Sequence, residues 1–173
     1  VEREAGSGSA VGHATDDCAD VLDVVEIGGG VVKAERHVDL LAIAAWHKQD
    51  IEGVLVHVTD DIIWRNSSGY APAIRGKAAM RKALQGMAPI IKTNKWRIFD
   101  HAENDNRLFM EGVDEFWLTT GEHVAIPYAG SLEFEGLLIK EWREYFDGRI
   151  SAAMKAGQPM TDEVREMLSR PAV

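Results

Sequence analysis

Residues 108–146 read LFMEGVDEFWLTTGEHVAIPYAGSLEFEGLLIKEWREYF. Three runs in this stretch, 108–118, 123–134 and 137–146, are rich in β-branched and aromatic residues. Thr120-Gly121 and Glu135-Gly136 part them, and both are good turn sequences. Residues 96–99 have the same character and are set off by Asn104-Asp105-Asn106. Consecutive strands with short connections pair as antiparallel neighbours. The spacing therefore predicts a four-strand antiparallel meander.

Upstream of the meander the period changes. Between 35 and 49, Val38, Leu41, Ala42, Ala45 and Trp46 recur every three or four residues, as on one face of a helix. Asp50 is placed to cap a second short helix carrying Val54, Leu55 and Val58, which Asp60-Asp61 ends. Ile62-Ile63-Trp64-Arg65-Asn66 reads as a short strand broken by Ser67-Ser68-Gly69, with Pro72 in the loop that follows. Helical spacing returns through Ala79, Met80, Ala83, Leu84 and Met87 until Pro89 stops it. Downstream, Asp147-Gly148 closes the last strand, and Thr161 caps a terminal helix with Asp162 and Glu163 in its first turn. Helices first and strands afterwards indicate the α+β class. Three segments result: a flexible arm over 1–30, a domain over 31–150, and a C-terminal extension with a short helix over 151–173. The arm carries Gly6-Ser7-Gly8-Ser9, which reads as linker, and Gly28-Gly29-Gly30, which reads as a hinge.

A chain of 173 residues with 46% apolar and 27% charged residues suits one globular domain with a real core. Its net charge of −9 and the lack of a Lys/Arg cluster argue against nucleic-acid and anionic-membrane partners. No run of about 18 apolar residues is present, and the start has no basic region followed by an apolar one, so neither a membrane span nor a signal peptide is expected. The single cysteine, Cys18, fits a reducing, cytoplasmic setting. His47, His57, His101 and His123 lack a metal-binding spacing. The sequence also has no phosphate loop, dinucleotide fingerprint or nucleophile elbow. Neither a metal nor an organic cofactor is expected.

Alternation along a strand puts Met110, Gly112, Asp114, Phe116 and Leu118 on one face, and Lys140, Trp142, Glu144 and Phe146 on one face of the last strand. In each set one carboxylate sits among large apolar side chains. If these faces look inward, burial and mutual repulsion raise both carboxyl pKa values, leaving one group protonated and one ionised for acid–base work. If they look outward, Asp114 and Glu144 are ordinary surface charges. Glu115, Glu141, Arg143 and Tyr145 fall on the opposite face, exposed or in contact with a second copy. Asn66 reads either as a turn residue or as a pocket group, and Trp64 as core or pocket wall. His123 and Tyr128 lie at odd spacing, so at most one of them can face a pocket. His123 is an alternative base if it is the one, and a solvent-facing side chain if not.

Residues from about 35 to 150 resemble the nuclear-transport-factor-2-like superfamily. Trp64-Arg65-Asn66, Gly112-Val113-Asp114 and Trp142-Arg143-Glu144-Tyr145-Phe146-Asp147 carry the resemblance to its limonene-1,2-epoxide hydrolase and SnoaL-like polyketide cyclase branches. The epoxide hydrolases have Trp-Arg-Asp-Tyr-Phe-Asp at the last of these, with the first Asp as water-activating base; Glu144 stands there. Asp114 matches their general acid and Asn66 a residue that holds the attacking water. Gly112 stands where the family has an Arg bridging the two carboxylates, and Trp64 where it has a Tyr. The resemblance implies a cystatin-like fold, a curved antiparallel sheet and N-terminal helices around a cone-shaped pocket, in a homodimer. It implies catalysis by Asp114, Glu144 and Asn66, with Trp64, Met110, Phe116, Trp142 and Phe146 against a small apolar substrate. The activity it points to first is addition of water to an epoxide. The same carboxylates would serve an isomerase, cyclase or dehydratase of a terpenoid, polyketide or steroid-like substrate, and some members of the superfamily only bind ligands or dimerise.

Overall fold

The computed structural model describes residues 38–172, so the arm over 1–30, its triple glycine and Cys18 lie outside the described residues. Three helices come first: α1 (Val38–His47), α2 (Ile51–Leu55) and, after β1 (Val58–Arg65) and β2 (Ile74–Arg75), α3 (Lys77–Met87). The long strands β3 (Ile91–Asn104), β4 (Arg107–Leu118), β5 (His123–Glu135) and β6 (Leu138–Phe146) follow, then α4 (Gly148–Lys155) and α5 (Asp162–Leu168). The fold is α+β. Its six strands form one sheet in the order β2-β1-β6-β5-β4-β3, curved and unclosed. β3 to β6 are the antiparallel meander, and β1 joins it parallel to β6.

Local chemistry accounts for the boundaries. The Asp50 carboxylate accepts the Gly53 N–H at 2.8 Å and starts α2. Pro89 sits in a single 3-10 turn over Ala88–Ile90 that ends α3. Asp105 and Gly136 take the left-handed conformation at the two tight turns flanking β4 and β5. Asp147 caps α4 by accepting the Arg149 N–H at 2.9 Å, and Thr161 caps α5 through the Val164 N–H at 3.4 Å.

Four features differ from the sequence reading. β3 runs from Ile91 rather than 96, because it is an edge strand whose polar, exposed residues hide the alternation. β1 begins at Val58, and Asp60-Asp61, expected to end a helix, lie within it; the register against β6 slips between Val58 and Ile63 to accommodate them. In α1 the buried set is Ala42, Ile43 and Trp46, while Leu41 is exposed. That helix is apolar almost all round, so spacing could not orient it. Finally, α4 has no counterpart in the sequence reading. It takes up the edge of β5 left uncovered where β6 ends, and the Ala125 N–H donates to Met154 Sδ at 3.3 Å.

The core lies between the concave sheet face and α1–α3, with Ala42, Leu55, Met80, Val58, Ile62, Leu132 and Ile139 each essentially inaccessible. It does not fill the hollow completely, and what remains is the candidate site.

Candidate active site

The meander and the helices enclose a cavity of about 190 Å³. By volume it has room for about six waters. Ala42, Trp46, Val54, Met80, Leu84 and Met87 form its helical wall. Of the side chains singled out in the sequence, Asp114, Glu144, Asn66, Trp64, Phe116, Trp142 and Phe146 all line it. Alternation on β4 and β6 therefore sends both carboxylates inward, with only β5 between their strands.

Met110 is placed differently from the other residues singled out in the sequence. It shares the Asp114 face of β4 but does not line the cavity. The Tyr128 ring overlies Gly112 and Gly130, about 3.0 Å from where a Cβ would sit on either, and Met110 Cγ lies 3.0 Å from the same point over Gly130. Tyr128 itself lines the cavity, and His123 faces the other way, bonded to Glu115.

Gly112 has a second neighbour. A Cβ there would lie 2.0 Å from the Arg97 carbonyl oxygen, because β3 bulges between Ile98 and Asp100 opposite this point. No side chain fits without moving backbone, so a bridging arginine at 112 is excluded by the path of the neighbouring strand.

The carboxylates consequently have no ion-pair partner among the described residues. Glu144 is 8% exposed, and Asp114 is half-buried, its open side on the cavity. Desolvation pushes the Asp114 pKa up from 3.8 to about 7, and the positive charge of Lys155 opposes part of that rise. Desolvation and then repulsion by Asp114 push Glu144 up from 4.5 to about 8, slightly offset by the indole N–H of Trp64. That N–H completes no hydrogen bond of full geometry. Lys155 supplies the positive charge that acts on Asp114: it sits at the C-terminal end of α4, with Nζ 5.5 Å from the Phe116 ring centre, and borders the cavity. Near neutral pH the pair as a unit therefore retains protons that ordinary carboxylates have lost.

An aromatic wall backs the pair. Trp142 stacks on Trp96 at 5.6 Å and tilts against Trp64 at 6.4 Å, while Trp96 meets Tyr128 edge-on at 5.2 Å. Sequence reasoning missed Trp96, Ser151 and Lys155, and it left open whether Tyr128 or His123 faces the pocket. Alternation on β5 could have found Tyr128, since it lies two residues from both Ile126 and Gly130. Nothing in the sequence pointed to Lys155, because its place depends on α4. Among the described residues no three His, Cys, Asp or Glu side chains gather as metal ligands would, and no helix is long and apolar enough to cross a membrane.

A family model described as SnoaL-like domain matches residues 40–142, ending just short of Glu144. A proposed SnoaL-like polyketide cyclase from Shewanella denitrificans superposes with a TM-score of 0.65 at 15% identity, covering 73% of this chain and 100% of that one. A Catenulispora acidiphila protein with a ketosteroid isomerase-like fold gives 0.63 at 16% identity, over 72% and 95%. An LEH-like epoxide hydrolase of M. tuberculosis gives 0.58 at 18% identity, over 72% and 96%. At these identities the likeness is one of fold. No curated protein matches the sequence at a significant level.

Proposed function

The chain belongs to the SnoaL-like domain family, and from that premise we propose that it is a cofactor-independent acid–base enzyme moving a proton on carbon. Its substrate is a small, largely apolar molecule with a carbonyl group. The observation that carries this reading is an apolar cavity bordered by two carboxyl groups that hold their protons well above the usual carboxylate range, with the Lys155 cation acting on Asp114.

In this reading Asp114, ionised beside Lys155, takes a proton from the carbon next to the carbonyl. Glu144, which keeps its proton, donates to the carbonyl oxygen as negative charge builds there. When the enol is conjugated with a neighbouring double bond, Asp114 returns the proton to the far carbon of that system while the enol hydroxyl gives its proton back to Glu144, leaving an isomer. Alternatively the enol carbon attacks a second carbonyl within the same molecule and closes a ring. The new oxygen then takes the proton from Asp114 as the enol hydroxyl returns its own to Glu144. The roles are the reverse of those implied by the epoxide-hydrolase resemblance, in which the position of Glu144 is the base. Two features favour proton transfer over hydrolysis: position 112 has no space for the bridging arginine, and Trp64 offers only a donor N–H where a bound water needs an acceptor.

One observation supports epoxide opening as a second reading. Asn66 reaches the same cavity as Glu144, where its amide could orient an attacking water. Isotopes separate the two. Incubation with cyclic ketones and with epoxides in deuterated, oxygen-18 water should place deuterium on carbon in the recovered ketone, at a rate that Asp114→Asn abolishes. Label appearing only as a new hydroxyl oxygen would replace proton transfer with hydrolysis, and no enzyme-dependent label in either panel would leave a binding protein.

A further inference from the structure

Behind Asp114 lies a second, smaller cavity of about 110 Å³. Five side chains, Trp46, Met87, Asp114, Phe116 and Lys155, border both spaces. The smaller one has walls of its own in Ile90, Ile91 and Leu118, all apolar, and one polar residue, Asn94. Asn94 is 7% exposed, and its Nδ2 donates to the Trp46 carbonyl oxygen at 3.1 Å. That bond fixes the amide orientation and leaves Oδ1 a buried acceptor with no partner among the described residues. An acceptor stranded in this way costs stability that a donor would restore.

We propose that this side chamber is a subsite for a short arm of the ligand, branching at the atom nearest Asp114 and ending in a hydroxyl group that donates to Asn94 Oδ1. The volume suits an arm of about three or four heavy atoms. The body of the ligand lies in the main cavity against the tryptophans, so the ligand is bent or branched, with its reacting carbon where the two spaces meet. The proposal stands on the shape and polarity of the cavities. Only the identity of the carbon at the junction depends on the proton-transfer reading, and binding at equilibrium tests the chamber without any turnover.

Titration calorimetry with three phenyl ketones reads it: acetophenone, which has no arm; butyrophenone, whose arm ends in methyl; and 3-hydroxypropiophenone, the same arm ending in hydroxyl. The parent protein should bind 3-hydroxypropiophenone at least about threefold more tightly than butyrophenone, since only the hydroxyl satisfies the buried acceptor. Leu118→Phe fills the chamber and should weaken both longer ketones at least about tenfold, while acetophenone changes less than about twofold. Ile90→Phe fills it from the exposed side and should act in the same sense, which keeps the test intact if Leu118→Phe folds poorly. Equal binding of the three ketones by the parent, no binding of any of them, or equal losses for all three in both variants would overturn the proposal.

Discussion

Asp114 and Glu115 are chain neighbours on β4, yet they occupy opposite worlds. Glu115 points to the outer face and is 4% exposed, but Arg97 Nε and His123 Nε2 each meet one of its oxygens at 2.9 Å. Glu141 does the same on β6, held by Arg65 at 2.7 Å and Arg143 at 2.5 Å. Asp114 and Glu144, one face away on the same two strands, have apolar and aromatic neighbours and no ion-pair partner among the described residues. Pleating alone sorts the two sets. The contrast shows that depth of burial does not define a reactive carboxylate here. Partners do: the outer acids are held by basic side chains, while the inner ones face an apolar cavity without such a partner.

The sharpest way to break this contrast is to remove inner and outer acids in turn. Asp114→Asn and Glu144→Gln should each lower turnover by roughly 10²- to 10⁴-fold with the fold retained, measured as kcat on any ketone that exchanges deuterium. Loss of activity from only one of them would mean that the pair does not act as acid and base together. The next effect in size concerns the strand path that keeps the inner pair unbridged. Gly112→Ala should cost about 3 kcal/mol in urea unfolding, because its Cβ must displace the Arg97 carbonyl from 2.0 Å. A neutral Gly112→Ala would mean that the backbone yields easily and that an arginine could be grafted there. Smaller still, Glu115→Gln should cost about 1–3 kcal/mol, since Arg97 and His123 lose their shared carboxylate but keep access to water. Its turnover should stay within about twofold of the parent, being on the other face of the sheet. An activity loss comparable to that of Asp114→Asn would erase the distinction between the faces.

Much of this arrangement was legible in the residues themselves. The alternation around Asp114 and Glu144, with Gly121 and Gly136 at the turns, carries both the meander and the pairing of the two acids on one face. What alternation cannot register is bending. The bulge at β3 that presses Arg97 against Gly112, and the packing of Tyr128 over two glycines, arise from contacts between strands. Lys155 was hidden for a different reason: α4 has an ordinary amphipathic sequence, and only its docking against the free edge of β5 brings the ammonium to the cavity. The resemblance at 64, 112 and 144 pointed to the fold and to both carboxyls, but not to Lys155, whose charge acts on Asp114 from α4.

The central claim needs no substrate to test. Both inner carboxyls hold their protons more tightly in the folded chain than in the unfolded one, Asp114 at about 7 against 3.8 and Glu144 at about 8 against 4.5. Between those limits the native state binds the extra protons, so the pair's contribution is fully present below about pH 4 and lost as pH rises through 7 and 8. The shifts correspond to a loss on the order of 4 kcal/mol for each group. The measurement is the free energy of urea unfolding from pH 5 to pH 8.5, in the parent and in the Asp114→Asn, Glu144→Gln double variant. The parent should fall by several kcal/mol relative to the double variant across that range. Parallel pH profiles for the two proteins would contradict the account, because they would mean that the acids carry the same proton affinity folded as unfolded.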